Sequence, residues 1–205
     1  LALHGGTPVI TRPIKGFNTI GEEELAAVTA VMKTGVLSAY VGAPGAAFMG
    51  GPRVRKFETE AAAYFGVRHA VAVNSWTSGL IAAVGAIGVE PFDEIITTPW
   101  TMVASAAAIL HWNAIPVFAD IDPATFNIDP KSVERMITPR TRAIMAVDIF
   151  GQSCDVEALR VICKRHNLKL ITDTAQSPGA TRNGAHAGTL GDIGGFSLNY
   201  HKHIH

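Results

Sequence analysis

The chain has 205 residues, of which 48% are hydrophobic and 17% charged, so it can bury a full core and is not a disordered segment. Lys and Arg number 17, and so do Asp and Glu, which excludes the bulk electrostatic attraction that nucleic acid or an anionic membrane would need. We therefore expect a small-molecule partner, with no nucleic acid and no membrane.

The cysteines and the hydropathy pattern lead us to expect a cytoplasmic protein. Cys154 and Cys163 are the only cysteines, and their spacing matches neither a zinc site nor a redox pair, so we expect reduced thiols in the core. No apolar run approaches the length that spans a bilayer, and the first residues lack the pattern of a signal peptide.

Residues 1–68 are predicted to form two helices and an irregular loop. The stretch GEEELAAVTAVMKTG has acidic residues in its first turn and ends at Gly35, and PRVRKFETEAAAYFG begins at Pro52 and ends at Gly66. Between them, SAYVGAPGAAFMGG has neither a helical nor a strand period. We interpret it as a functional loop.

Residues 69–205 are predicted to form an α/β core. A strand and a helix are expected in HAVAVNSWTSGLIAAVGAIGV, and then apolar runs such as EIITTP, IPVFAD, RAIMAVDIF and LKLITD alternate with helical patterns. Continuous apolar runs are typical of strands buried on both faces. The fold class is therefore α/β, with a mostly parallel central sheet and helices on both faces.

The polar turn before the first helix of this core is a candidate anion site. Ser75, Thr77 and Ser78 fall at the helix N-terminus, where free backbone N–H groups, hydroxyls and the helix dipole together favour a phosphate. Ordinary N-capping is the alternative. Trp76, in the same turn, and Trp112 are expected to be packing residues.

Two further residues complete a possible cofactor site. Asp173 ends the strand LKLITD at the carboxyl edge of the sheet, where open α/β folds bind ligands. Lys202 could lose its proton in a dehydrated pocket and attack a carbonyl. A phosphate cradle, a carboxylate and a lysine are the anchors that pyridoxal 5'-phosphate (PLP) requires. The competing interpretation is a metal-binding or purification-tag tract of His201, His203 and His205, and we expect no metal.

These residues lie in segments that resemble the DegT/DnrJ/EryC1/StrS family of PLP-dependent sugar-nucleotide aminotransferases. The similar segments are GGTPVI, VNSWTSGL, IPVFADIDPATFNIDP, ITPRTRAI, GQSCDVEAL, DTAQSPGAT and GTLGDIGGFSLNYHK. The resemblance implies a fold-type I PLP-transferase large domain over residues 1–205. Because family members are about twice as long, a small C-terminal domain is expected to be absent.

The resemblance also implies roles for individual residues. Lys202 would bind the aldehyde of PLP covalently and act as the base. Asp173 would pair with the pyridine nitrogen. The phosphate would be held by Thr77, Ser78 and Ser197.

Gln176 would lie near the cofactor ring and its phenolic oxygen.

Two departures from the family pattern leave roles open. Met102 stands where the family has an aromatic residue over the ring, and Trp100, two residues earlier, could substitute for it. Asp148 stands where many relatives have His, and its role is open.

The function implied is transfer of an amino group from glutamate or glutamine to a keto-sugar nucleotide, in a homodimer with shared active sites. One alternative is a PLP-dependent sugar dehydratase, although the dehydratases of this family mostly have His in place of Lys202. The other is a regulatory protein that binds PLP or a sugar nucleotide without turnover.

Overall fold

The computed structural model describes residues 2–12, 19–202 and 204. It divides into two compact units, Leu1–Leu37 and Ser38–His205. In the described part of the chain, no helix is both long enough and apolar enough to cross a membrane.

The smaller unit contains a short 3₁₀ turn, Ala2–His4, and helix α1, Glu22–Thr34. The Glu24 carboxylate accepts a hydrogen bond from the Gly21 N–H at 2.7 Å, which satisfies one of the free donors at the start of the helix. Gly35 ends α1 in the left-handed conformation (φ 68°), as its position in the sequence predicts.

The larger unit alternates helices and strands. Its helices are α2 Pro52–Phe65, α3 Trp76–Ala86, α4 Ala104–Leu110, α5 Pro130–Arg135 and α6 Val156–His166. Its strands are β1 Glu94–Thr97, β2 Ile115–Phe118, β3 Thr141–Val147, β4 Lys169–Asp173, β5 Thr181–Arg182, β6 Ala185–His186 and β7 Ile193–Gly195.

The central sheet has five parallel strands in the order β2-β1-β3-β4-β7, which confirms the predicted α/β class. The register pairs Val147 with Asp173 and Asp173 with Gly195, so these three residues lie side by side at the carboxyl edge. The antiparallel pair β5 and β6 forms a separate small ribbon.

Apolar side chains of the strands alternate between two core clusters, one on each face of the sheet. Ile96, Ile144 and Leu170 pack with residues of α5 and α6. On the other face, Ile95 and Met145 pack with residues of α3 and α4. Both faces are therefore buried by helices, as the continuous apolar runs predicted.

The strand predicted at the start of the core, over residues 69–74, is not present. This segment has no regular secondary structure, and Val71 and Val73 are exposed. The Ala72 N–H donates to the Glu58 carboxylate of α2 at 2.8 Å instead of to a neighbouring strand. Its apolar pattern alone was misleading because a strand also needs a partner that satisfies its backbone groups.

Candidate active site

Asp173 is the last residue of β4, and its carboxylate is buried at the carboxyl edge of the sheet. One oxygen, Oδ1, accepts from the Trp76 indole N–H at 2.7 Å and more weakly from the Ala175 N–H at 3.3 Å. The other, Oδ2, accepts from the Ser105 hydroxyl at 2.8 Å. Residues from α3, α4 and β4 thus meet at one carboxylate.

The N-terminus of α3 has the features of an anion cradle. The Ser75 hydroxyl oxygen caps the helix by accepting from the Ser78 N–H at 3.1 Å. Within the described residues, the backbone N–H groups of Trp76 and Thr77 have no acceptor. Capping and anion binding are therefore compatible here, because the cap uses only one of the free donors.

Trp76 is a site residue that the sequence did not predict, since its pattern indicated only packing. Its indole lies against Gly79 of α3 and Gly195 of β7, where a methyl group would lie only 2.4 Å and 2.3 Å from the ring. Since it also bonds to Asp173, Trp76 joins the cradle of α3 to the buried carboxylate. No local sequence signal marked this role, because Trp112 also lies against a glycine of α3.

Asp148, whose role the sequence left open, is fully buried beside Asp173. Its carboxylate accepts from the Thr174 hydroxyl at 2.6 Å and from the Cys154 N–H at 2.8 Å, and its own N–H donates to the Asp173 carbonyl at 3.0 Å. Burial raises the pKa of Asp148. Asp148 therefore ties together the loops that follow β3 and β4.

The two candidates for packing on the cofactor ring lie before α4 and are both exposed, Met102 by 62% and Trp100 by 48%. The Trp100 ring lies 6.1 Å from that of Phe126. Gln176, after β4, is half-buried and accepts weakly from the Phe150 N–H at 3.5 Å. The hydrogen bonds found for the Asp173 carboxylate involve none of these three side chains.

Ser197 and Lys202 follow β7 along the same edge. Both are half-buried, and the Lys202 N–H donates to the Asn199 carbonyl at 2.7 Å. The contacts found for Asp173 do not include Lys202. His203 and His205, which belong to the alternative metal tract, lie outside the described residues. Within the described residues, no group of three potential metal ligands occurs.

The charges of this edge suit a bound cation. The ion pairs found among the described residues include neither Asp148 nor Asp173, whose partners are all neutral donors. A buried carboxylate that is held by neutral donors alone attracts a ligand that carries positive charge. The protonated pyridine nitrogen of PLP would supply it, and the α3 cradle would take the phosphate. The residues present therefore fit PLP.

Comparison with protein families gives a match to a model described as the DegT/DnrJ/EryC1/StrS aminotransferase family over residues 18–205. Among curated relatives, the GDP-perosamine synthase of Caulobacter vibrioides is 44% identical over 149 residues, which cover 73% of this chain and 40% of that protein. The chain spans about half the length of the curated relatives it matches.

Solved structures share the fold. An aminotransferase from Psychrobacter cryohalolentis aligns with a TM-score of 0.85 and 33% identity, over 94% of this chain and 46% of that one. The GDP-4-keto-6-deoxy-D-mannose-3-dehydratase of E. coli, solved with bound hydrated PLP, aligns with a TM-score of 0.81 and 27% identity, over 91% and 47% of the two chains.

Proposed function

Because the chain belongs to the DegT/DnrJ/EryC1/StrS aminotransferase family, we propose that the whole protein is a PLP-dependent aminotransferase. It moves an amino group from glutamate or glutamine to a keto-sugar carried on a nucleotide. The observation that carries the proposal is the Asp173 carboxylate, which is buried at the sheet edge where such folds bind ligands and whose hydrogen-bond donors among the described residues are all neutral. The relative named as a GDP-perosamine synthase supports the substrate class.

Three groups of residues hold the cofactor in this proposal. The free N–H groups at the start of α3, with the hydroxyls of Thr77, Ser78 and Ser197, bind the phosphate. Asp173 pairs with the ring nitrogen and keeps it protonated. Lys202, on the segment that follows β7, binds the aldehyde covalently.

The chemistry then divides between the cofactor and two side chains. When bound, PLP supplies an aldehyde that takes up the amino group and a ring that accepts electrons. The released amine of Lys202 moves a proton at the reacting carbon, as a general base and then a general acid. Asp173 would hold the proton on the ring nitrogen.

Met102 or Trp100 would cover one face of the ring, and Gln176 would lie near its phenolic oxygen. A thioether and an indole can both pack on an aromatic ring, so the exposure of these two residues fits either choice. Both precede α4, whose Ser105 contacts Asp173, which brings them to the same edge of the sheet.

A dehydratase is the second candidate, favoured by the likeness to the E. coli dehydratase. Lys202 argues for transamination instead, because dehydratases that resemble this family mostly have His at that position. A competent aminotransferase releases the keto acid of its amino donor in step with the aminated sugar. A dehydratase changes the sugar without acquiring the donor nitrogen.

We also propose a homodimer with shared active sites that works in the cytoplasm. Cys154 and Cys163 are both free and buried, which suits a reducing compartment. The loop over residues 38–51 would line the shared pocket or the adjacent interface. Within it, Gly50 lies so close to the Tyr40 ring that a methyl group would be only 2.8 Å away, which keeps the loop compact.

The test uses the full-length protein loaded with PLP. Adding glutamate should shift the visible absorbance of the bound cofactor, and borohydride reduction followed by peptide mass spectrometry should find PLP fixed on Lys202. Lys202→Ala should lose both signals, whereas Lys169→Ala, a lysine at the opposite end of the sheet, should keep them. An unchanged spectrum with glutamate, or turnover by Lys202→Ala, would overturn the proposal.

A further inference from the structure

Trp76 and Trp112 form a natural pair within the fold. Each indole N–H donates a hydrogen bond of 2.7 Å, Trp76 to the Asp173 carboxylate and Trp112 to the Ile81 carbonyl. Each ring also lies against a glycine of α3: Trp76 against Gly79, and Trp112 against Gly85. The two tryptophans differ in what their N–H groups hold and in burial, since Trp76 is half-buried against the core and Trp112 is 39% exposed.

The acceptor positions of Asp173 are nearly all used. A carboxylate offers about four acceptor positions. Trp76, Ser105 and the Ala175 N–H occupy three of them, at 2.7, 2.8 and 3.3 Å. Ser105 is itself held by the Thr101 hydroxyl at 3.1 Å. One acceptor position is left for a ligand, and its direction is set by the donors on the other three.

The packing of Trp76 makes its own position rigid. Gly79 and Gly195 approach the indole from α3 and β7, so the ring is held between a helix and a strand of the sheet. Trp76 is also the first residue of α3, next to Thr77 in the first turn of the helix. A shift of the indole would move both Asp173 and the helix start.

We propose that Trp76 is a positioning residue: its indole N–H orients the Asp173 carboxylate so that the remaining acceptor position meets the pyridine nitrogen of PLP. The proposal rests on the function proposed above. In the alternative, Trp76 only fills space between α3 and β7, and its N–H is satisfied by Asp173 without consequence for the cofactor.

Trp76→Phe separates the two interpretations, because it keeps an aromatic ring and removes the N–H. A hydrogen bond to a charged group corresponds to about tenfold in an equilibrium constant, so the dissociation constant for PLP should rise about tenfold, measured by equilibrium dialysis on the full-length protein. Trp112→Phe, the matched control, should leave it unchanged.

The second measurement is one that lost packing would not move. In PLP with an isotopically labelled ring nitrogen, the NMR shift of that nitrogen reports its protonation. Trp76→Phe should make the nitrogen lose its proton at lower pH than in the wild type, because a misdirected carboxylate holds the proton less well. Ser105→Ala, which removes the donor to the other oxygen, should act in the same direction.

Gly195→Ala gives an independent route if Trp76→Phe does not fold. The added methyl group would collide with the Trp76 indole and displace the indole from Asp173, while the tryptophan itself stays in the protein. Gly85→Ala is the matched control, because its methyl group would lie 2.2 Å from the ring of Trp112 and displace that ring instead. Gly195→Ala should weaken PLP binding and shift the nitrogen titration, and Gly85→Ala should do neither.

The outcomes are distinguishable. The role of Trp76 would be overturned if the Trp76 and Gly195 variants bound PLP as tightly as their controls and showed the same titration of the ring nitrogen. A wild-type protein that binds no PLP would instead overturn the proposed function.

Discussion

The two edges of the central sheet treat buried acidic groups in opposite ways. At the amino edge, Glu94 is buried but pairs with Arg140, and Asp93 pairs with Arg142 at 3.1 Å. At the carboxyl edge, Asp148 and Asp173 are equally buried and have only neutral donors among the described residues.

The difference is visible in the pKa of the acidic groups. The Thr138 hydroxyl, with help from the Arg140 guanidinium, lowers the pKa of Glu94 against the effect of burial. Burial raises the pKa of Asp148, and its neutral hydrogen bonds only partly offset that effect. The acidic groups of one edge thus have cationic partners within the fold, whereas those of the other edge have none among the described residues.

This contrast separates stability from function. Charges that are paired inside the fold have their partner whether or not a ligand is present, and removing one partner leaves a buried charge uncompensated. Charges without an internal partner are retained at a cost in stability, and such cost is typical of sites that bind or react. The carboxyl edge is therefore where substitutions should affect activity more than folding.

The largest expected effect is on turnover by Asp173→Asn. The amide cannot hold a proton on the ring nitrogen as a carboxylate does, so kcat should fall by at least about 100-fold. PLP occupancy should fall much less, because the phosphate contacts remain. Steady-state kinetics and cofactor titration measure the two effects. Glu94→Gln, the amino-edge control, should retain kcat, and an unchanged kcat in Asp173→Asn would remove that residue from the site.

The next largest effect is on stability, from Glu94→Gln. This change weakens the hydrogen bonds from Thr138 and Arg140 to a charged acceptor and should lower the free energy of unfolding by about 2 kcal/mol at pH 7. Because the folded-state pKa is lowered, the stabilisation is present above the ordinary value of 4.5 and is lost as the pH falls through the lowered value. Urea unfolding at several pH values should show the variant and wild type converging in acid. A constant difference would contradict the assigned cause.

The sequence was sufficient to predict the sheet and its helices, because strands that are buried on both faces are continuously apolar in sequence. The runs around Ile95, Ile144 and Leu170 are continuously apolar, and the helices between them have visible start and stop signals such as Asp155 and Asn167. It was not sufficient for residues 69–74, where the apolar pattern is the same but no strand partner is present.

The site was harder to predict, because its contacts join distant parts of the chain. Asp173 could be placed at the carboxyl edge from its position at a strand end. Trp76 meets it across 97 residues, and nothing in the local sequence distinguishes its environment from that of Trp112. The family roles of Lys202 and Ser197 stay predictions, since they depend on a ligand as well as on the fold.

Asp148→Asn should have a smaller effect, and in the opposite direction. The amide can still accept from the Cys154 N–H and can donate to the Thr174 oxygen, while the buried charge is removed. Because the folded-state pKa is raised above the ordinary 3.8, wild-type stability declines as the pH rises through the raised value. The variant should therefore be more stable than the wild type at pH 7 and have the same stability as the wild type in acid. Urea unfolding at both pH values tests this, and a less stable variant at pH 7 would show that Asp148 is needed as an anion.

The smallest effect concerns an exposed ion pair at the amino edge, Lys169 with Asp192 at 3.6 Å. Both side chains are about half exposed, so water and salt screen the attraction, and Lys169→Ala should change the free energy of unfolding by less than about 0.5 kcal/mol.

Asp192 has a second partner, because its Oδ2 accepts from the Leu170 N–H at 2.8 Å. Asp192→Ala removes that bond as well and should destabilise by about 1 kcal/mol. Urea unfolding at low and high salt separates the contributions, since only the ion pair depends on salt. If the two variants were equally destabilised, and equally sensitive to salt, the amino edge would depend on ion pairing even where it is exposed.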